Sequence, residues 1–178
     1  MIVSISGLHG TGKSTIGMII AEKLDLRYYS TGQAFRDLAQ EMHMTLSEFT
    51  EHVEDNPNID EQLDNKVIEI AKGNNVLIDS QIGGFLLASI ADFKIYLYCP
   101  LKVRIRRMAE RDNNDYEEKE RETLMREKSE LERFKRLYNI DLSNLEEIKK
   151  VHNIFIDTEF LSIEEVVNQI LQKINALS

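Results

Sequence analysis

A glycine-rich segment near the start of the chain has the residue types and spacing of a phosphate-binding loop. The segment from Gly7 to Ser14 follows the pattern of a glycine, four residues, a second glycine, a lysine and a serine or threonine. Glycines let the backbone approach a phosphate chain closely, and successive N–H groups donate to it. Lys13 would reach the β- and γ-phosphates as a catalytic cation, and the Ser14 hydroxyl would bind Mg²⁺. The candidate nucleotide-binding residues are Gly7, Leu8, His9, Gly10, Thr11, Gly12, Lys13, Ser14 and Thr15.

The residues on either side of this loop favour a strand before it and a helix after it. Residues 2–6 form a β-branched apolar run, which is typical of a buried parallel strand. Apolar residues then recur at helical spacing between Ser14 and Lys23. A glycine turn that merely connects a strand to a helix is the alternative interpretation. We expect His9, within the loop, to be a solvent-facing spacer.

A second acidic residue is expected beside the loop, because such a Mg²⁺ site takes another ligand from the end of a neighbouring strand. Asp79 closes the apolar run Val76–Ile78 and is the candidate, so Ser14 and Asp79 form the predicted metal site. The structural alternative is an aspartate that caps a strand end. The next residues, Ser80–Gly84, predict a flexible turn at the carboxyl edge of the sheet, where ligands bind in such folds.

Short apolar runs alternate with helical patterns along the rest of the chain. The five strand candidates are Ile2–Ser6, Tyr28–Ser30, Val76–Asp79, Lys94–Cys99 and Asn153–Asp157. This alternation predicts an α/β fold, a five-stranded parallel sheet flanked by helices on both faces.

Two regions depart from the alternation. Residues 41–75 predict an all-helical insertion, in which Pro57 would occupy an early turn of a helix. Residues 111–138 are almost wholly charged and predict an amphipathic helix that covers another surface. The apolar positions of that helix are Leu124, Met125, Leu131, Phe134 and Leu137.

Length and composition indicate one globular domain over residues 1–178. Hydrophobic residues make up 42% of the chain, and no apolar run approaches the roughly 20 residues that span a bilayer. The lone Cys99 permits no internal disulfide, and a net charge of -9 argues against general nucleic-acid binding. We therefore expect a cytoplasmic monomer that binds neither membrane nor nucleic acid.

The arginines are concentrated in one part of this acidic chain. Eight of the ten lie within 33 residues, from Arg104 to Arg136. Two interpretations stay open: a solvated helix face whose arginines pair with glutamates, or a site that binds anions.

Several classes of protein share such a loop. A GTPase should carry an Asn-Lys-x-Asp motif, but Asn65-Lys66-Val67-Ile68 lacks the aspartate. A small phosphotransferase fits better, because it needs an acceptor pocket, arginines for the acceptor's phosphate and a lid that excludes water. A nucleotide-binding adaptor that holds ATP without turnover is the alternative from another class.

The order of these segments resembles the nucleoside monophosphate kinases, and within them the cytidylate kinases of archaeal type. The resemblance rests on the loop, on Ser30–Arg36 (Ser-Thr-Gly-Gln-Ala-Phe-Arg) and on the arginine-rich region. It implies an acceptor-binding insertion at about 31–72 and a lid at about 111–138. It also implies that Arg36 binds the acceptor α-phosphate and that Thr31 contacts the acceptor nucleotide.

The segment Arg126–Arg133 is similar to the lid pattern of that family. The similarity implies that Arg126 and Arg133 reach the phosphates as catalytic residues and that Glu130 helps to read the cytosine amino group. The implied substrate-binding residues are Thr31, Arg36, Asp79 and Glu130. The implied reaction is transfer of the ATP γ-phosphate to CMP or dCMP with Mg²⁺. UMP, AMP and shikimate are alternative acceptors.

One position departs from the family pattern. The chain has Asp79-Ser80-Gln81 where relatives commonly have an acid, a glycine and an arginine. Either Arg104 or Arg107 supplies the positive charge expected near the acceptor phosphate, or acceptor binding is weaker or altered.

Overall fold

Five parallel strands form one sheet within residues 1–56 and 58–177, the part of the chain that the computed structural model describes. The strands are β1 (Ile2–Ser6), β2 (Arg27–Ser30), β3 (Val76–Asp79), β4 (Phe93–Tyr98) and β5 (Ile154–Asp157). Their order in the sheet is β2-β3-β1-β4-β5. The predicted five-stranded parallel sheet is confirmed, and each strand differs from its predicted range by at most one residue at either end.

Strand β1 lies at the centre of the sheet, a buried position that suits its β-branched apolar residues. Val3 and Ile5 are fully buried. In the ladder, Ile5 pairs with Asp79 of β3 and with Ile95 of β4. The carboxyl ends of these strands therefore meet at one edge, which brings Asp79 beside the loop that follows β1.

Helices cover both faces of the sheet. They are α1 (Lys13–Lys23), α2 (Thr31–Glu41), α3 (Leu46–Asp55), α4 (Asn58–Lys72), α5 (Gly83–Leu86), α6 (Leu101–Asp112), α7 (Tyr116–Tyr138), α8 (Leu145–Val151) and α9 (Ile163–Leu177). Ile20 of α1 and Ile170 of α9 are buried against one face, and Val67 of α4 packs with Ile78 on the other. None of the helices in the described ranges is both long enough and apolar enough to cross a membrane.

Helices α2, α3 and α4 lie between β2 and β3 and have a small core of their own. The rings of Phe35 and Phe49 meet edge to face with centroids 4.7 Å apart, and Leu63 is buried beside them. This core holds the three helices together where they extend beyond the sheet. The prediction for Pro57 concerns a residue outside the described ranges.

The charged region 111–138 is not one continuous helix. Helix α6 continues to Asp112, and Asn113 ends it in a left-handed conformation with φ of 50°. Helix α7 begins at Tyr116, after Asp115 caps its N-terminus by accepting bonds from two backbone N–H groups. The short break turns the chain so that α7 runs across the carboxyl edge of the sheet and contacts α3 and α6.

The predicted apolar face of α7 is wrong in part. Leu124 and Met125 are 46% and 75% exposed, whereas Glu127, Glu130 and Arg133 are buried. These three side chains lie at intervals of three residues on one helical face, and each contacts a polar side chain on another element, namely Arg104, His9 and Asp60. The spacing of hydrophobic residues cannot reveal a buried helical face whose side chains are charged.

The predicted flexible turn at Ser80–Gly84 is also wrong in part, because Gln81 and Ile82 form a turn but a helix follows at once. Helix α5 begins at Gly83, and both Gly83 and Gly84 are buried. A Cβ atom at Gly84 would lie 2.0 Å from Nε2 of His152. The glycine therefore permits close packing against the ring rather than flexibility.

Candidate active site

The loop between β1 and α1 has backbone geometry that favours glycine. Gly7 has a φ of 144°, and a Cβ atom there would lie 2.4 Å from the carbonyl oxygen of Leu97. Gly12 has a φ of 94° and stands at the N-cap of α1. Among the described residues, no side chain caps this helix and its first turn contains no acid. The loop N–H groups and the positive end of α1 are therefore available to an anion.

Lys13, the first residue of α1, folds back over the loop. Its Nζ donates a hydrogen bond to the carbonyl oxygen of Leu8 at 3.0 Å, and the side chain is half-buried. Burial lowers the pKa of the Lys13 amino group, and the nearby charges of Asp79 and Glu130 oppose that decrease. The amino group thus lies where carboxylates from two different elements converge.

Ser14 and Asp79, predicted from separate segments, lie in direct contact. The Ser14 hydroxyl donates to Oδ2 of Asp79 at 2.7 Å, and the Tyr28 hydroxyl donates to the same oxygen at 2.7 Å. Burial and the Asp79 charge raise the pKa of Tyr28, so it remains a donor. Within residues 1–56 and 58–177, no group of three or more His, Cys, Asp or Glu residues could hold a metal ion. The pair therefore offers two hard oxygen ligands rather than a complete cage.

Glu130 of α7 connects the loop with the segment after β3. Its carboxylate accepts hydrogen bonds from His9 at 2.6 Å, Gln81 at 2.9 Å and Arg126 at 2.9 Å. Burial alone would raise the pKa of Glu130, but the charges and hydrogen bonds of these neighbours outweigh burial and hold it below its usual value. The prediction that His9 is a solvent-facing spacer is wrong, because only 20% of its side chain is exposed and it binds the α7 carboxylate.

Arg133, nearly one turn further along α7, reaches α4. Its Nε lies 2.7 Å from Oδ2 of Asp60, and both side chains are more than nine-tenths buried. Nη1 of Arg133 has no hydrogen-bond partner among the described residues, and Arg133 lines the same cavity as Lys13. A buried donor without an acceptor costs free energy, so this position favours a ligand oxygen.

Neither Arg104 nor Arg107 supplies the charge missing at Gln81. Arg104 is buried and forms a two-pronged bond to Glu127, with distances of 2.5 and 3.1 Å, and it also donates to the carbonyl oxygen of His9. Arg107 donates to the carbonyl oxygen of Thr158 at 2.6 Å. Neither side chain lines the cavity that Gln81 lines, so that expectation is corrected. Both arginines instead hold backbone segments in place.

Helices α2 and α4 form the far side of the same cavity. Arg36 is exposed and receives support from Gln33, whose Oε1 accepts from its Nη2 at 2.8 Å. Phe35 and Leu63 provide an apolar wall, and Asp64 of α4 lies beside them. The cavity therefore runs from the phosphate-binding loop to the insertion.

The cavity brings most predicted site residues together. It is lined by His9, Lys13, Ser14, Thr31, Arg36, Asp79, Arg126, Glu130 and Arg133. Other predicted loop residues, Gly7, Leu8, Gly10, Thr11, Gly12 and Thr15, are not among its lining residues. The arginine cluster thus divides: Arg126 and Arg133 face the cavity, whereas Arg104 and Arg107 do not.

Known proteins match nearly the whole chain. The family described as "AAA domain" matches residues 3–135. A cytidylate kinase of Methanocaldococcus jannaschii is 38% identical over 180 aligned positions, which cover 99% of each chain. A cytidylate kinase of Staphylothermus marinus is 38% identical, over 94% of this chain and 93% of the relative. The chain belongs to the cytidylate kinase family. The resemblance predicted from its segments is confirmed.

The cytidylate kinase family shares its fold with kinases of other substrates. A shikimate kinase structure from Bacteroides thetaiotaomicron superimposes with a TM-score of 0.63 and covers 98% of each chain. Sequence identity is 18%, so this likeness concerns the fold alone.

Several residues of this cytidylate kinase site could not be predicted from the sequence motifs. Tyr28 donates to Asp79, and Asp60 pairs with Arg133. A signal existed for Asp60 and Asp64, because they lie four residues apart on one face of a helix. No local signal existed for Tyr28, whose partner is 51 residues away in sequence.

Proposed function

We propose that this member of the cytidylate kinase family transfers the γ-phosphate of ATP to CMP, giving ADP and CDP, and accepts dCMP as well. One observation carries the proposal: a single cavity joins the phosphate-binding loop to a polar and apolar wall on the insertion. That layout suits a reaction between two bound nucleotides. The names of the relatives at 38% identity support cytidylate as the acceptor.

At the donor end, the loop backbone and the positive end of α1 would bind the ATP phosphates. Lys13 would neutralise charge on the β- and γ-phosphates as a catalytic residue. Ser14 and Asp79 would hold Mg²⁺, since hydroxyl and carboxylate oxygens suit this cation and it readily keeps phosphates and water as its other ligands. When bound, Mg²⁺ offsets the charge that develops on the transferred group.

At the acceptor end, Arg36 would bind the α-phosphate of CMP and Thr31 would contact the nucleotide. Arg126 and Arg133 would exchange Glu130 and Asp60 for phosphate oxygens. An oxygen of the CMP phosphate then forms a bond to the γ-phosphorus of ATP as the bond from that phosphorus to ADP breaks. The attacking oxygen is already ionised near neutral pH, so positioning and charge neutralisation supply the catalysis.

We further propose that residues 1–178 form one domain. Within it, residues 31–72 are the acceptor-binding insertion and residues 111–138 are a lid. The Ser129 hydroxyl, which donates to Glu54 of α3, supports contact between these two parts. The lone buried Cys99 supports a cytoplasmic location.

A panel of acceptors tests the proposal. ADP formation from ATP and Mg²⁺ is followed by a coupled assay with CMP, dCMP, UMP, AMP and shikimate, and a Lys13→Ala preparation made in parallel reports contaminating kinase. We expect the largest kcat/KM for CMP, with dCMP next. A larger value for shikimate or AMP, or equal turnover by the Lys13→Ala preparation, would contradict the proposal.

A further inference from the structure

We infer that Asp64 selects cytosine over uracil in the acceptor site. The inference rests on the proposed function and deepens it, because it assigns the recognition of the base to a residue of α4. It follows from three features of the cavity: where an apolar ring can lie, which carboxylates are already paired, and where a buried donor lacks a partner.

A pyrimidine ring needs an apolar surface, and the described part of the cavity has two. Ile82 and Phe134 form one, but both pack into a core cluster with Tyr96 and Ile148. The other is the aromatic ring of Phe35 with the side chain of Leu63, on the two helices that also carry Arg36 and Asp64. Phe35 is held by its edge-to-face contact with Phe49, so its ring is a fixed surface for a planar ligand. Asp64 follows Leu63 directly and lines this same end.

Four carboxylates line the cavity in the described residues, and three are held by strong partners. Asp79 accepts from two hydroxyls, and Asp60 forms a buried ion pair with Arg133, although its Oδ2 accepts no hydrogen bond in the described residues. Glu130, which the family resemblance implied as the reader of the amino group, accepts three hydrogen bonds at the loop end.

The fourth carboxylate, Asp64, has spare capacity to accept. Its hydrogen-bonding neighbour is the Tyr138 hydroxyl of α7, and it faces Asp60 and Arg133 at longer range. A carboxylate has roughly four acceptor positions, so one hydroxyl leaves most of them free. Asp64 is half-buried, which makes a hydrogen bond from a ligand more favourable than it would be in water.

A buried donor beside these carboxylates independently indicates a ligand. Arg133 is 97% buried, and its Nε lies 2.7 Å from Oδ2 of Asp60 as an ion pair, yet neither Nε nor Nη1 makes a hydrogen bond in the described residues. Unmatched donors of this kind are uncommon in folded proteins. A ligand oxygen would complete the arrangement, and the α4 wall is therefore part of a binding site rather than an acidic surface.

Cytosine and uracil differ in the group that would meet Asp64. Cytosine carries an exocyclic amino group, which donates, whereas uracil has a carbonyl oxygen at the same position, which accepts. An ionised carboxylate only accepts, so it binds the amino group and repels the carbonyl. Asp64 would therefore favour CMP, mainly by leaving the uracil carbonyl opposite a group that cannot donate to it.

The experiment measures kcat/KM for CMP and for UMP in each of several preparations. Asp64→Asn keeps the size of the side chain but adds a donor that can pair with the uracil carbonyl. Because the ratio of the two constants is taken within one preparation, a loss of folded protein cancels. We expect the CMP-to-UMP ratio to fall by about tenfold or more, which is about 1.4 kcal/mol. Tyr138→Phe, which leaves the carboxylate in place, should retain the preference for CMP.

Two further variants make the result specific to Asp64. Glu69→Gln alters an exposed carboxylate on the same helix and should leave the ratio unchanged. Glu130→Gln tests the reader implied by the family resemblance. A collapse of the ratio in Glu130→Gln, or a ratio in Asp64→Asn within twofold of the wild type, would overturn the inference while CMP kinase activity stands. Failure of the wild type to use CMP would instead overturn the proposed function, and this assignment with it.

Discussion

The two ends of the cavity are built in different ways. At the proposed donor end, residues 7–14 are consecutive in sequence and would bind phosphate through backbone geometry, with Asp79 added from the neighbouring strand. At the proposed acceptor end, the wall consists of side chains from α2, α4 and α7 that are far apart in sequence. The donor end is therefore a local structure, and the acceptor end depends on how α7 docks.

The docking of α7 relies on buried charged side chains as well as on apolar contacts. Glu127 pairs with Arg104, Glu130 with His9 and Arg133 with Asp60, so three different elements are reached from one helical face. Ion pairs of this kind define a specific arrangement, but each partner depends on the other to offset the cost of burial. We expect disruption at this end to affect stability and disruption at the loop to affect turnover.

The largest expected effect is on stability and comes from Glu127→Gln. The substitution leaves Arg104, which is 4% exposed, without its counter-charge while the shape of the side chain is kept. Removing one member of a buried pair costs about 3–5 kcal/mol. Urea unfolding should therefore show a midpoint well below that of the wild type.

The matched control is Glu132→Gln, an exposed position on the same helix. It should change the free energy of unfolding by less than about 0.5 kcal/mol. Equal, small changes in both variants would show that α7 is held by its apolar contacts, and the proposed difference between the two ends would disappear.

The same difference explains what the sequence could predict. The five strands and the loop were found because a buried parallel strand and a glycine pattern are local signals. The contacts of His9 and Arg104 were missed because their partners on α7 lie 121 and 23 residues away. An ion pair leaves no period in the sequence, so the sequence could not show which charged residues of α7 are buried.

At the donor end, Lys13→Ala should abolish most phosphoryl transfer and leave the fold intact. Loss of a charge that stabilises developing negative charge typically costs about 10²–10³ in kcat. Lys13 is half-buried and its removal opens no core, so the urea midpoint should stay close to that of the wild type. Lys23→Ala, at the exposed far end of α1, is the control and should retain full activity. Near-normal turnover by Lys13→Ala would contradict the catalytic role that we assign to Lys13.

The smallest expected effect is a pH dependence of the preference for CMP over UMP, and it tests Asp64 at the proposed acceptor end. Burial raises the pKa of Asp64 to about 6, Asp60 adds to the increase, and Tyr138 and Arg133 oppose it. Protonation below that pH gives Asp64 a donor for the uracil carbonyl, whereas its remaining oxygen still accepts from cytosine. Lowering the pH from about 7.5 to about 5.5 should therefore reduce the CMP-to-UMP ratio of kcat/KM several-fold, because kcat/KM follows the ionisation of the free enzyme. The phosphates of the two acceptors titrate alike and cancel in the ratio. In Asp64→Asn the ratio should not change with pH, and an equal pH dependence in that variant would assign the titration to another group, such as Asp60.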